Sequence, residues 1–461
     1  MLSISNGIAL SIGTFFLLAC IVCFRRFVFT ADAVFPIAIF CWWCLIVSEQ
    51  VFVRKGLSEM DLSGHFSGSA YSEFTLWVVI FCAILAVLVK HGISSVALHA
   101  MRWPLLFALL ATGSCVLSPT PAFSLAWAFK LFVSVLILTV CAGAVADPHK
   151  QRTFFQSIFW AYVVLVFMPL LTALTHPSTL FGWRGFDGSL PPEFRLNTNI
   201  HPVDLAQHAG LLVLLGLTLH ARDRRRSRLV VVWLASAVMI LAMGKAAILS
   251  CFLCALLFFL LQRRLGAGAR WIVSLVVLAT VAILFTPIGS YFQQYEQDDD
   301  AATLTGRTQL WDLALPAIEQ QPLLGHGFMS SKYIAEAVDA DWDAGQLHNA
   351  FLEVLYNNGC LGLMLVLAMN VCILRNTRVA LRHSRSSETR ALVSGTLAIY
   401  LFLLLNGLVE PTFGGRPSCV FLVFEGLVVL SYGLRRRALA QPRSLAPILK
   451  STWSPAEVHN R

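Results

Sequence analysis

Leu205-Ala-Gln-His-Ala-Gly-Leu-Leu-Val-Leu-Leu-Gly-Leu-Thr-Leu-His-Ala-Arg-Asp-Arg-Arg-Arg-Ser-Arg228 decides the fold. An apolar run near 205 to 221 ends in a dense arginine cluster. A helix of roughly 20 apolar residues crosses the hydrocarbon core of a bilayer, and arginine accumulates on the cytoplasmic side of such spans. The pattern repeats outward in both directions. Over 461 residues the chain is 57% hydrophobic and 13% charged, with a mean hydropathy of +0.73. A soluble domain carries about 25% charged residues, so the balance excludes a water-soluble enzyme, a disordered chain and a nucleic-acid-binding module. Long unbroken runs also favour helices over a transmembrane barrel, whose strands alternate over about ten residues.

Spans are expected near 7 to 24, 34 to 53, 73 to 90, 104 to 118, 123 to 146, 155 to 175, 205 to 221, 229 to 245, 246 to 262, 271 to 289, 350 to 374, 391 to 409 and 418 to 434. This is an all-α polytopic membrane protein with about 12–13 transmembrane helices by hydropathy. The short junction at Lys245 leaves the count open, as do Arg54 and Lys55, which fall on the outer side against the charge rule. The first run has no charge ahead of it and Arg25 and Arg26 behind it, so it is expected to be retained rather than cleaved.

The net charge of +9 is concentrated at every second break between apolar runs, from Lys90 with Arg102 to Arg435 with Arg437. Those breaks are expected to face the cytoplasm. The chain then divides into N-terminal helices (1–175), a periplasmic loop (176–204), central helices (205–289), a large periplasmic loop (290–349), C-terminal helices (350–434) and a basic cytoplasmic tail (435–461). Three Cys-x-x-Cys pairs, Cys20 with Cys23, Cys41 with Cys44 and Cys251 with Cys254, lie inside apolar runs. There i and i+3 merely share a helix face, so no zinc or redox site is expected.

Polar loops of this size are where chemistry is sought. In the larger one, apolar residues recur at Leu310, Trp311, Ala314, Leu315 and Ile318, predicting an amphipathic helix too short to span that lies along the membrane surface. Its start carries Arg307. A guanidinium at a helix start suits a phosphate oxygen. Pro322 to Phe328 then reads as a turn, and His348-Asn349 stands at the mouth of the next span, followed by Glu353, Tyr356, Gly359 and Gly362. The two glycines predict a helix face that a neighbouring backbone, lipid or sugar approaches closely. His348, half in water, suits a general base toward a sugar hydroxyl and equally a hydrogen-bonded interfacial histidine. Asp298 to Asp300 read as a solvated run rather than a metal site. Lys130, inside the fifth span, is costly there and points to a polar cavity or a phosphate contact.

Gly306-Arg307-Thr308 with Trp311, Pro322-Leu-Leu-Gly-His-Gly-Phe328, and His348-Asn349 ahead of Gly359 and Gly362 resemble the signature of the O-antigen ligase and polysaccharide polymerase superfamily over about 240 to 410. The wording is nearest to the exopolysaccharide polymerases. The resemblance implies glycan transfer from an undecaprenyl-diphosphate-linked oligosaccharide at the periplasmic face of the bacterial inner membrane, with no metal and no other cofactor. It assigns His348 as the base and Arg307 to the diphosphate. Lys245, in Met243-Gly244-Lys245, joins Arg307 in that role, although ligases more often have arginine there. Arg195 has the same assignment, or is a solvated loop charge. His201, Trp311, His326 and Asn349 are assigned to the substrate; Val203 stands where many relatives have asparagine. A chain-length regulator and a flippase are implied partners, alongside membrane lipid. The runner-up activity is ligation of a finished glycan to lipid A core. A transporter of the same lipid-linked oligosaccharide is a third reading; it predicts repeats and polar residues near the midplane of several spans, whereas here the polar weight lies in the outer loops.

Overall fold

The computed structural model describes residues 33–51, 68–174, 181–184, 193–196, 198, 200–262, 307–338 and 346–440. The expected spans near 7 to 24 and 271 to 289 lie outside these residues, as do Arg54, Lys55, Cys20, Cys23, Gly306 and Asp298 to Asp300. Every other expected span is a helix, and two further helices lie within the 290–349 segment. In chain order these are α1 (Val34–Val51), α2 (Gly68–His91), α3 (Ser95–Ser114), α4 (Pro121–Ala142), α5 (Pro148–Leu174), α6 (Pro202–Asp223), α7 (Arg226–Leu241), α8 (Lys245–Leu261), α9 (Arg307–Gln320), α10 (Ser331–Val338), α11 (Ala350–His383), α12 (Ser387–Asn406) and α13 (Cys419–Ala440). A short antiparallel hairpin, β1 (Phe181–Arg184) with β2 (Glu193–Leu196), precedes α6. Seven of the helices, α2 to α6, α11 and α12, are long and apolar enough to cross a membrane. The protein is an all-α polytopic membrane protein.

Local chemistry sets the helix ends. The Ser94 hydroxyl accepts the Ala97 N–H at 3.2 Å, and the Ser386 hydroxyl accepts that of Thr389 at 3.1 Å, each an N-cap. Pro121 and Pro202 open α4 and α6, where a missing N–H costs nothing. The Ser94 cap starts α3 well before the apolar run near 104 and carries Arg102 and Pro104 inside the helix. Likewise α11 continues past the apolar run through Arg375, Arg378 and Arg382. Helical hydrogen bonding tolerates these arginines because their long stems reach out to the membrane surface. The junction before Lys245 is a true turn: α7 ends at Leu241, Met243 adopts φ +56°, and α8 begins at Lys245.

The bundle is built around α6 and α4, 78% and 72% of whose spans are buried, against 28% for α2 at the rim. Close crossings use residues without bulk. A Cβ on Gly395 of α12 would stand 2.1 Å from the Thr218 hydroxyl of α6, and one on Gly426 of α13 would stand 2.8 Å from the Trp42 ring. Cys41, Cys44, Cys251 and Cys254 are buried, unbridged, in α1 and α8. Lys130 is fully buried with its Nζ 3.8 Å from Glu73 and 5.2 Å from the ring centres of both Trp77 and Trp127. An opposite charge and two aromatic faces offset its desolvation.

The alternating helix directions give the bundle two distinct ends. One gathers the arginine-rich connections, where Asp223 is surrounded by Arg228 at 2.8 Å, Arg152 at 3.3 Å and Arg222 at 3.5 Å. The other gathers the starts of α4, α6, α8, α11 and α13 with the end of α12. The candidate site lies at this second end.

Candidate active site

The apolar face of α9 turns toward protein rather than along a membrane surface. Leu310, Ala314 and Ile318 are buried with Leu347 and Tyr356, while Leu313 and Leu315 stay exposed on the far side. Two or three apolar side chains find a drier partner in α11 than in an interfacial layer. This docking brings the start of α9 against the 346–350 segment, where the Trp311 indole Nε1 donates to the Leu347 carbonyl at 2.9 Å.

His348 follows in the left-handed region, with φ +50°. A non-glycine residue holds that conformation only where its surroundings fix it, and His tolerates it better than most. The fixing groups lie on either side. Before it, the Leu347 N–H donates to Glu353 Oε2 at 2.8 Å while its carbonyl takes the Trp311 indole. After it, the Asn349 side chain caps α11, accepting the Phe351 and Leu352 N–H groups at 3.0 and 3.1 Å, and donates to the Leu408 carbonyl at 3.1 Å. The Ala350 N–H reaches the Gly407 carbonyl at 2.8 Å.

These contacts press His348 against the turn after α12, and there it meets Glu410. Its Nδ1 lies 3.0 Å from one carboxylate oxygen, and Arg307 Nη2 lies 2.7 Å from the other. Arg307 Nη1 also donates to the Val409 carbonyl at 2.7 Å. Glu410 is buried at 6% exposure, while His348 and Arg307 are half-buried. A carboxylate paired with a guanidinium only accepts, so Nδ1 carries the proton. With Nδ1 so engaged, Nε2 is the ring nitrogen left to act as a base. Arg307 has spent two of its N–H groups on this turn, and the charge it faces here is a carboxylate of its own chain.

The carboxylate of Glu353 is the second buried acid of the site. Besides the Leu347 N–H it accepts the Ser331 hydroxyl and the Asn357 amide, and the Ser331 N–H donates to Asn357 Oδ1 at 2.8 Å. It thereby ties α10, α11 and the histidine segment together.

The Pro322 to Gly327 turn is inserted into α11. At Gly359 the helix breaks, with φ +62° and ψ −167°. The Tyr356 and Asn357 carbonyls, which a continuous helix would offer to residues 360 and 361, accept the N–H groups of His326 and Gly327 at 2.9 and 3.0 Å. The freed N–H groups of Cys360 and Leu361 donate to the Pro322 and Leu323 carbonyls at 2.7 and 3.3 Å. These four groups are satisfied again by the turn, as a low-dielectric surrounding requires. The backbone expected to approach Gly359 is therefore this turn: a Cβ there would lie 2.3 Å from the Leu323 carbonyl oxygen. Gly362 faces instead the Asn358 side chain of its own helix. The His326 Nε2 lies 2.8 Å from the Ala317 carbonyl, and its ring stacks on Tyr356 at 4.6 Å.

Of the residues singled out from sequence, His348, Arg307, Trp311 and Asn349 converge on the 407–410 turn. Lys245 and His201 open α8 and α6 at the same end of the bundle, linked by the approach of Gly244 to Ala206. Arg195 lies in β2, opposite Gly182, with its side chain outside the described residues. Glu410 and the fixing role of Glu353 escaped the sequence reading; the one available signal was Glu410-Pro411 in an outer segment opposite so many basic residues. Among the described residues, no three His, Cys, Asp or Glu side chains cluster to hold a metal ion.

Residues 209–367, roughly a third of the chain, match the family model described as O-antigen ligase. Over that segment the match supports the O-antigen ligase and polysaccharide polymerase superfamily. No curated protein matches it. The matched segment contains Lys245, Arg307 and His348 but ends before Glu410, so the carboxylate that joins His348 to Arg307 comes from outside it. The match and the apolar helices together support a multi-pass membrane enzyme of the ligase and polymerase type.

Proposed function

We propose that the protein polymerises undecaprenyl-diphosphate-linked repeat units into an exopolysaccharide at the periplasmic face of a bacterial inner membrane. The observation that carries this reading is the His348–Glu410–Arg307 arrangement, a base and a cation joined by one buried carboxylate.

In the proposed reaction the acceptor hydroxyl gives its proton to His348 Nε2 as its oxygen attacks the anomeric carbon. Glu410 holds the Nδ1–H and stabilises the imidazolium that forms, the logic of an oriented histidine base. The bond from the anomeric carbon to the diphosphate oxygen breaks, and its electron pair leaves with the undecaprenyl diphosphate. Attack opposite the leaving group inverts the anomeric centre. The developing negative charge falls to the remaining N–H groups of Arg307, to Lys245 and to Arg195. At an effective dielectric of about 20, one unit charge pair at 4 Å is worth roughly 4 kcal/mol before desolvation. Two or three such groups supply the positive charge that other enzymes draw from a metal, so the reaction is proposed to be metal-independent. Trp311, Asn349, His201 and His326 shape the acceptor side, the first two by fixing the backbone around His348.

The second reading, transfer of a finished glycan to lipid A core, draws on the match to the O-antigen ligase family. A deletion strain separates the two. Single repeats on undecaprenyl diphosphate are expected from a lost polymerase; long lipid-linked chains that never reach lipid A would replace our reading with the ligase. Purified protein given donor and acceptor should lengthen the glycan, and His348→Ala should not. Lipid movement across a vesicle with unchanged glycan length would instead make it a transporter.

A further inference from the structure

At the arginine-rich end, α3, α11 and α13 meet around an open cleft far from His348. Each helix contributes one arginine to its wall: Arg102, Arg375 and Arg435. At the nearby α5–α7 connections, Arg152, Arg222 and Arg228 are paired with Asp223. In the cleft no ion pair joins any of the three to a carboxylate of the described residues. Their neighbours are neutral. Arg102 Nη1 donates to His99 Nδ1 at 3.3 Å and its guanidinium lies over the Trp103 ring at 4.9 Å. Arg435 Nη1 donates to Asn376 Oδ1 at 3.3 Å, while its buried Nε has no hydrogen-bond partner. Three positive groups in one concavity, two of them held by neutral acceptors, leave an anion-shaped deficit.

The surroundings specify which anion. One turn from Arg102 toward the middle of the bundle, Leu106 is 46% exposed; one turn from Arg375 in the same direction, Val371 is 61% exposed. Leu109 and Leu367 continue these two exposed apolar tracks. A soluble phosphate has no use for them, whereas the acyl chains of a lipid do. Basic clefts between helices at the cytoplasmic level of a membrane suit lipid phosphates.

We propose that this cleft binds an anionic glycerophospholipid, its phosphodiester on Arg102, Arg375 and Arg435 and its acyl chains along α3 and α11. The site is independent of the glycan reaction. Native mass spectrometry of the full-length protein in detergent, titrated with phosphatidylglycerol, phosphatidylcholine or inorganic phosphate, tests it. Phosphatidylglycerol should bind at least about tenfold more tightly than phosphatidylcholine and should resist displacement by inorganic phosphate. Arg375→Gln and Arg435→Gln should each weaken it about fivefold, the effect of about one basic side chain near an anionic headgroup. Arg436→Gln, exposed next to the cleft, should leave binding unchanged. Arg375 and Arg102 are themselves exposed, so their variants carry the test even if Arg435→Gln fails to fold. Equal binding of the two lipids, displacement by phosphate, or wild-type affinity in Arg375→Gln and Arg102→Gln would overturn the proposal.

Discussion

Glu353 accepts the backbone N–H of Leu347 at 2.8 Å, so a carboxylate buried in the first turn of a membrane helix sets the backbone from which His348 projects. The acid acts one residue away from the histidine, through a peptide group. It also couples that peptide to Ser331 and Asn357, so the histidine segment and the α10 segment move as one body.

Glu353→Ala should therefore destabilise the protein by about 2–3 kcal/mol, because it strands a buried N–H and a hydroxyl. Glu353→Gln keeps one acceptor oxygen and should lose less. Thermal unfolding in detergent measures both; equal stability of Ala and Gln variants would mean that the Leu347 contact contributes nothing.

In the proposed reaction Glu410 acts on the charge of His348 rather than on the fold of its segment. Glu410→Gln can still bond His348 but loses the negative charge that stabilises an imidazolium, and turnover should fall by about 10²–10⁴. KM for the donor should change far less than kcat. A variant whose KM rises with kcat intact would assign Glu410 to binding instead.

Arg307→Ala removes one half of a buried ion pair and leaves Glu410 uncompensated. Loss of one partner of a buried pair costs about 3–5 kcal/mol; partial exposure of Arg307 places the expectation at the lower end. If Glu410→Ala combined with Arg307→Ala is no more stable than Arg307→Ala alone, the stranded charge is not the cause.

Gly359→Ala and Gly92→Ala form a controlled pair. Both glycines have positive φ, +62° and +71°, but a Cβ at Gly92 meets nothing within 4 Å while one at Gly359 runs into the Leu323 carbonyl. The conformational cost is about 1–2 kcal/mol in the left-handed region, and greater at Gly359, whose ψ of −167° places it where essentially only glycine is found. Gly92→Ala should lose about that much, and Gly359→Ala more, together with the turn that replaces its helix bonds. Matching losses in Tm would show that the inserted turn yields freely.

Orientation is open to a labelling test. A cysteine at position 349 should react with a membrane-impermeant maleimide added outside the inner membrane, and one at position 378 only after permeabilisation. The reverse pattern would place the site on the cytoplasmic side and remove the proposed reaction.

Much of the architecture was legible in the sequence because it is local. Whether a run of residues spans a membrane depends on its own hydropathy, and Pro121, Pro202 and Asn349 fix helix starts within a turn of themselves, whereas the Ser94 cap started its helix well before the expected run. What misled was the amphipathic stretch at 307–320. A periodic apolar face reports only that something covers it, and whether that cover is lipid or α11 is decided by residues far along the chain.

By itself the sequence determined a bundle of membrane helices with two chemically different ends, and it put Arg307, Trp311, His348 and Asn349 in one polar outer stretch. Only the tertiary structure decided that His348 is oriented by Glu410, 62 positions away, and that the turn at 322–327 completes the hydrogen bonds of a broken helix. It likewise brought three arginines from three helices to one cleft. Hydropathy and capping act over a few neighbouring residues, whereas the partner of a buried charge or an interrupted helix is set by which distant surfaces pack together.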